Sequence, residues 1–269
     1  MVTPDSLFTG SIPELYDSLM VPMLFAPYAM DIANRLAVLR PETVLETAAG
    51  TGAVTREILA RLPPFVRIVA SDLNPDMLAR GQVNVSDHRI TWVQTDAMAL
   101  PFEPASFDSV LCQFGVMFFP DRVQAYREAL RALKPGGTFL FNVWDNVAQN
   151  DFVRVASVEL ARIFPDDPPV FMARTPHGYF DLARIKADLR AAGFTDITIE
   201  TVAIMAHAGS ALDAAMAYCQ GTPLRGEILA RGPGRLAEVT QQVAQALARD
   251  FGTGAIAGKV QAFVIAAKG

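Results

Sequence analysis

Val44-Leu45-Glu46-Thr47-Ala48-Ala49-Gly50-Thr51-Gly52 is the stretch whose reading decides the fold. An apolar run ends in an acid and passes into a loop of small residues. A helical pattern follows from Ala53, carried by Val54, Ile58, Leu59 and Leu62. Strand, glycine loop and helix make half of a nucleotide-type binding unit. Glycine accepts positive φ and lets a ligand approach the backbone, while the helix start offers unpaired N–H groups and a partial positive charge. The loop therefore implies a ligand.

The same rhythm continues downstream. Residues 66–72 read as a second strand, again closed by an acid, Asp72. Asn74 then reads as a helix N-cap with Pro75 at the first helical position, where its missing N–H costs nothing. Met77 and Leu78 carry that helix to about Val83. A third strand over 90–95 ends at Asp96, and a mostly apolar fourth covers 107–114. Asp121 caps a helix bearing Val123, Tyr126, Leu130 and Leu133, and Pro135-Gly136-Gly137 turns it into a fifth strand over 138–143. Alternating strands and helices predict parallel pairing with right-handed crossovers, hence a doubly wound α/β sheet.

On either side the pattern is looser. Residues 12–39 read as one or two short helices and a longer one ending near Leu39, with Pro13, Pro22 and Pro27 cutting the pattern. After Trp144 come a helix over 152–164, an irregular loop, a helix over 182–192 closed by Gly193, and a strand over 196–203 whose partner is the last strand, 260–267. More than fifty residues separate those two strands, with helices over 211–220, 223–231 and 233–251. So long a connection reads as a functional lid or a small helical subdomain. The expected organisation is one structural unit: a helical cover over 1–40, a cofactor-binding core over 41–145, and the rest of the core over 146–269 with lid insertions at about 146–181 and 205–257.

Composition narrows the function classes. At 51% hydrophobic and 19% charged residues the chain can bury a sizeable core. A net charge of -5 with no basic run argues against a nucleic-acid partner, which would need clustered Lys and Arg. Cys112 and Cys219 suggest no disulfide framework, and His88, His177 and His207 lack metal-ligand spacing, so no metal is expected. No secretory leader and no run of ~18 apolar residues is evident, so a cytoplasmic protein without a membrane span is expected.

Glu46, Asp72 and Asp96 close three consecutive strands at the edge where open α/β sheets bind ligands. Asp72, 20 positions after Gly52, is placed to accept from both hydroxyls of a ribose. A nicotinamide dinucleotide loop would continue with Gly or Ala where Thr55 stands, which disfavours an oxidoreductase, and no Walker lysine follows. The ligand wanted is a nucleoside without a demanding phosphate.

On these motifs the sequence resembles the class I S-adenosylmethionine-dependent methyltransferases, and among them the ubiquinone/menaquinone biosynthesis type. The resemblance also rests on residues 107–114 as the fourth-strand motif and on Lys134-Pro135-Gly136-Gly137-Thr138 before the fifth strand. It implies a seven-stranded, mostly parallel Rossmann-like sheet with N-terminal helices and a helical insertion before the last strand. It also implies transfer of a methyl group from S-adenosylmethionine to a small, apolar or aromatic acceptor. By the resemblance, Glu46, Ala48 and Gly50 surround the methionine end and Asp72 holds the ribose, with Thr51, Gly52, Met77 and Tyr16 also among the cofactor-binding residues. Leu73 and Met98 flank the adenine, which Asp96 and the Ala97 N–H engage, and Gln113 and Phe114 lie near the sulfonium. Ala48 stands where the family has its first glycine, so its φ is expected to stay negative or unstrained.

In-line displacement at an activated carbon asks for alignment more than for side-chain chemistry. Where a base is needed, His177, His207 and Tyr16 are the candidates, and aromatic faces such as Tyr28, Phe118 and Phe119 could face the cation. A non-catalytic S-adenosylmethionine-binding sensor or accessory protein stays open as the alternative. Either a monomer or a homodimer is compatible with the sequence.

Overall fold

The computed structural model describes Asp5, Phe8, Gly10 and residues 12–269. The short helix α1 (Ile12–Leu15) runs into a π-helical segment, Tyr16–Phe25, and then into α2 (Ala26–Leu39). The prolines do not cut this run as the sequence reading expects. Pro22 sits inside the π segment, after which the Ala26 N–H reaches five residues back to the Val21 carbonyl. The wider turn accommodates a residue that has no N–H to donate and crowds an α-helical carbonyl.

Next come β1 (Thr43–Thr47), α3 (Ala53–Arg61), β2 (Arg67–Asp72), α4 (Pro75–Asn84), β3 (Ile90–Gln94) and β4 (Phe107–Gln113). After them follow α5 (Arg122–Ala132), β5 (Leu133–Trp144), α6 (Asp151–Ile163), α7 (Phe171–Arg174), α8 (Leu182–Ala192) and β6 (Asp196–Ala208). The chain closes with α9 (Ala211–Gln220), α10 (Leu224–Arg231), α11 (Leu236–Phe251) and β7 (Ile256–Lys268). The seven strands form one sheet in the order β3-β2-β1-β4-β5-β7-β6. Pairing is parallel from β3 through β5, and β7 runs antiparallel to β5. The expected doubly wound, mostly parallel seven-stranded sheet is therefore the observed one. Its strand order reverses between β1 and β4, which makes the carboxyl ends of these strands the ligand-binding edge.

Caps set several boundaries as read from sequence. Asn74 Oδ1 accepts from the N–H groups of Asp76 and Met77, and Asp121 accepts from Gln124 N–H. Gly193 closes α8 at φ +110°, a left-handed conformation that suits glycine. The fifth strand starts earlier than read, at Leu133. The register slips between Phe107 and Ser109, so Lys134-Pro135-Gly136-Gly137 forms an irregularity inside the strand. β6 and β7 are 13 residues each, longer than the strands read from sequence; β6 alternates exposed and more buried positions, while β7 is buried on both faces over Ala262–Ile265.

Contacts divide the chain into two compact units. One comprises the residues up to Pro27, Asp145–Gly178 and Ala203–Gln261; the other comprises Tyr28–Trp144, Tyr179–Val202 and Ala262–Gly269. The sequence reading instead groups 1–40 as a cover and treats the chain as one unit. Most of α2 goes with the sheet because its Ala29, Ile32, Ala33 and Leu36 face joins the core of Val44, Ile58, Val66, Ile68, Leu111 and Leu140. In the other unit α11 buries Val239, Val243 and Leu247 at helical spacing, and Phe152 meets Phe251 edge-on at 5.1 Å.

Candidate functional site

β1 delivers Glu46 and Thr47 to the sheet edge, and neighbouring strands fix its end. The Thr47 hydroxyl donates to the Leu111 carbonyl at 3.1 Å, and the Ser71 hydroxyl to the Glu46 carbonyl at 3.0 Å. The loop that follows enters the left-handed region three times, at Ala48 (φ +53°), Gly50 (φ +56°) and Gly52 (φ +83°). For Ala48 this overturns the sequence expectation. The loop path is over-determined by the Ala49 N–H to Ser71 carbonyl bond at 2.9 Å, so a residue with a Cβ is held where glycine is at ease.

Asp72 ties the loop to β2. Its Oδ2 accepts from the Gly50 N–H and its Oδ1 from the Asn74 N–H, both at 2.8 Å. Behind the loop, a Cβ on Gly52 would lie 3.2 Å from the Trp92 ring, and one on Gly81 would lie 2.8 Å from that ring and 2.9 Å from the Gly50 carbonyl. Trp92 and Gly81 thus form the back wall that sequence reasoning missed. The available signal was a glycine in the middle of a helical pattern. Met77 is at the same place, its Cε 3.5 Å from where a Gly50 Cβ would be.

Glu46 is 2% exposed, and its Oε2 accepts from the Thr55 hydroxyl at 2.6 Å. Thr55 fills the position that argued against a dinucleotide loop, and this bond is its role. Oε1 of Glu46 makes no hydrogen bond among the described residues. Burial, together with the nearby Asp72 charge and against the Thr55 bond, pushes the Glu46 carboxyl up to about 8; burial also raises Asp72, against its backbone N–H bonds. The buried Thr51 hydroxyl, in the same loop, has no partner among the described residues either.

Asp96 folds its own turn, Oδ1 accepting from the Met98 N–H at 2.9 Å. Residues 98–102 are held from α5: Gln124 donates to the Met98 carbonyl at 3.2 Å, and Arg131 donates to the carbonyls of Leu100 (2.8 Å) and Phe102 (2.6 Å). Glu128 pairs with Arg131 and accepts from the Leu100 N–H, each at 2.8 Å. Leu73, at the end of β2, is 40% exposed, an apolar surface beside these acids.

At the end of β4, Phe114 also has positive φ (+51°), with its N–H donating to Asn142 Oδ1 at 2.9 Å. Its ring stacks on Trp144 at 3.8 Å, and Tyr28 meets both rings edge-on at 5.2 and 5.3 Å. Tyr28 is fully buried and its hydroxyl donates to the Val202 carbonyl at 2.9 Å, so its ring is committed to this stack rather than offered to a cation. Gly115 follows with no room for a side chain: a Cβ there would stand 2.5 Å from the Ala48 Cβ and 2.7 Å from Cys112 Sγ. Gln113, Phe114 and Gly115 thereby join the sheet edge formed by the loop.

The structure thus brings Glu46, Ala48, Gly50, Thr51, Gly52, Asp72, Leu73, Met77, Asp96, Ala97, Met98, Gln113 and Phe114 into one unit. Tyr16, His177 and His207 belong to the other. There Tyr16 stacks on Phe25 at 4.9 Å, and His207 is exposed on β6. His177 is buried with Nδ1 2.7 Å from the Asp145 carbonyl oxygen. Because a carbonyl only accepts, Nδ1 carries the proton; burial outweighs this bond and pushes the ring down to about 4, so it is neutral at pH 7. Among the described residues no group of His, Cys, Asp and Glu could hold a metal ion, and no helix is long and apolar enough to cross a membrane.

Residues 45–141 match the family model described as a methyltransferase domain. The sheet and this match over 45–141 resemble a class I, Rossmann-like methyltransferase domain. Within that class the chain resembles the UbiE type. It is 37% identical over 126 residues to the ubiquinone/menaquinone biosynthesis C-methyltransferase UbiE of Geobacter sulfurreducens, covering 45% of this chain and 49% of that one. The chain spans about half the length of the curated relatives it matches. Among solved structures, phosphoethanolamine N-methyltransferase 2 of Haemonchus contortus, in complex with S-adenosylhomocysteine, aligns with a TM-score of 0.54 at 19% identity, over 97% of this chain and 60% of that one. The [4+2]-cyclase SpnF aligns with a TM-score of 0.54 at 18% identity, over 91% and 81%. At these identities the structures show the fold alone.

Proposed function

We propose that the protein transfers a methyl group from S-adenosylmethionine to a small, apolar or aromatic acceptor. The observation that carries the reading is the joined set of Glu46, the 48–52 loop and Asp72. A carboxylate oxygen and a buried hydroxyl lack protein partners there, and the backbone is held open by left-handed residues. Such orphaned polar atoms fit a ligand that carries an ammonium and a carboxylate on one end and a ribose on the other.

In this reading Glu46, Ala48, Gly50, Thr51 and Gly52 hold the methionine end, and Asp72 receives the ribose hydroxyls. Asp96, Ala97 and Met98 receive the adenine with Leu73 and Met77 beside it. Gln113 and Phe114 stand at the reacting end. Bound S-adenosylmethionine supplies a methyl carbon already activated by its positive sulfur. The chain's own contribution is orientation and exclusion of water, since alignment alone can be worth about 7 to 11 kcal/mol. For an acceptor that arrives protonated, His177, His207 and Tyr16 are the candidate bases. The small apolar acceptor is supported by the apolar character of the helical segments and by resemblance. A cytoplasmic monomer or homodimer completes the reading.

Incubation of the protein with methyl-labelled S-adenosylmethionine and a cell extract tests this directly. Label should pass into a small organic product, and its identification names the acceptor. Binding of S-adenosylhomocysteine without any labelled product across extracts would favour the alternative, a non-catalytic cofactor binder.

A further inference from the structure

Glu46 and Asp72 lie at the ends of adjacent strands, and neither makes an ion pair with a Lys, Arg or His among the described residues. Buried Glu46 and half-buried Asp72, side by side without a counter-cation, cannot both be charged cheaply, because each ionised group loses hydration and repels the other. Asp72 offsets part of that cost through two backbone N–H donors at 2.8 Å, whereas Glu46 has only the Thr55 hydroxyl. The remaining neighbours do not supply charge: α3 contributes neutral Thr55, and Cys112 on β4 is held neutral because burial pushes its thiol up to about 12. The asymmetry assigns the proton to Glu46.

We propose that Glu46 is a proton-exchanging ligand sensor: it is a neutral carboxylic acid in the free protein and gives up its proton when a ligand ammonium occupies the site. The inference rests on the cofactor reading given above and concerns its regulation by pH. The step balances as Glu46–COOH plus ligand–NH3+ giving the Glu46–COO−/ligand–NH3+ pair, with one proton released to the buffer. The cation missing from the protein is thereby supplied by the ligand, and the pair forms in a region where it is screened little. Ligands that share the nucleoside but lack the amine have nothing to displace the proton with.

Two consequences distinguish this from an ordinary ionised carboxylate. Affinity for the amine-bearing ligand should rise up to about tenfold per pH unit as pH increases toward 8, then level off. At pH 7, below the raised value of the free protein's carboxyl, a proton should leave when the ligand binds.

The test is calorimetric titration of the full chain at pH 7 in three buffers of different ionisation enthalpy. Two probes are used: S-adenosylhomocysteine, and 5′-methylthioadenosine, which keeps the nucleoside and thioether but lacks the amino-acid tail with its ammonium. The observed heat should depend on the buffer for the first probe, with a slope near one proton, and not for the second. Glu46→Gln, which is fixed neutral, should bind S-adenosylhomocysteine more weakly and without pH dependence between 6 and 8. Should that variant misfold, the wild-type buffer series decides by itself. Equal buffer dependence for the two probes, or none for either while both bind, would overturn the proposal. Failure of both probes to bind at all would instead remove the cofactor reading on which it stands.

Discussion

Ala48 and Gly115 are two halves of one packing solution. The loop keeps a methyl group in a left-handed conformation, and the residue after Phe114 gives up its own Cβ to make room. Gly115→Ala should therefore destabilise by about 2 kcal/mol or more through overpacking against Ala48 and Cys112. Ala48→Gly relieves strain of roughly 1 kcal/mol but loosens the unfolded chain, so it should stay within about 1 kcal/mol of wild type. In the double variant Gly115→Ala should cost less, by about 1 kcal/mol, and urea unfolding of the four proteins reads this coupling. Additive effects would contradict the contact. A second residue-scale outcome concerns His177. Its folded ring titrates near 4 against 6.5 for an ordinary histidine, so the unfolded chain binds the proton that the folded protein refuses. Stability should be complete above pH 6.5 and fall by up to about 3 kcal/mol toward pH 4, and His177→Gln should flatten that limb of a urea-midpoint profile. Glu46 acts in the opposite sense: its raised carboxyl stabilises the free protein at low pH, and that contribution is lost as pH rises through about 8. The three acids were legible from sequence because each ends an apolar run. The sign of φ at position 48 was not, since it is set by bonds to β2 and by the space at Gly115.

At the scale of elements, α5 acts as a brace on the segment after β3. Arg131 holds two carbonyls of that segment and Glu128 one N–H, a fork that lysine cannot reproduce. Arg131→Lys should speed amide exchange over 97–102 and weaken S-adenosylhomocysteine binding several-fold, with exchange in β1 unchanged. Unchanged exchange at 97–102 would show the brace to be dispensable. Asp108 plays a comparable role at the opposite end of the strands. It accepts from the N–H groups of Glu42 and Thr43 and pairs with Lys134 at 2.9 Å. Burial opposes its charge, but Lys134, Thr43 and Glu42 outweigh it and hold the carboxyl at about 2. Helix starts, the glycine-closed α8 and the alternation of strands and helices were readable because caps and period are local signals. The π segment, the bulge in β5 and the full lengths of β6 and β7 were not, because tertiary pairing decides them against local pattern.

For the whole molecule, the sequence implied a helical cover and a single unit, whereas α2 spends its small-residue face on the sheet core and contacts separate two units. That distinction depends on which partner a helix face meets, and periodicity alone cannot reveal it. The resemblance to methyltransferases extends closely over 45–141, and a fold shared with a [4+2]-cyclase shows why activity has to be argued from the site. All the candidate residues for the nucleoside lie in one unit. Hydrogen exchange with and without S-adenosylhomocysteine should accordingly gain protection over 44–52, 71–78 and 95–99; protection confined to 145–178 or 203–261 would place the ligand elsewhere. The most direct measurement is calorimetric binding of S-adenosylhomocysteine to the wild-type protein and to Asp72→Ala. Saturable binding by the wild type, weakened at least about tenfold in the variant with both proteins folded, is the expected result. A folded wild-type protein that takes up no S-adenosylhomocysteine, or an Asp72→Ala variant that binds it equally well, would contradict the assignment of the Glu46, loop and Asp72 edge.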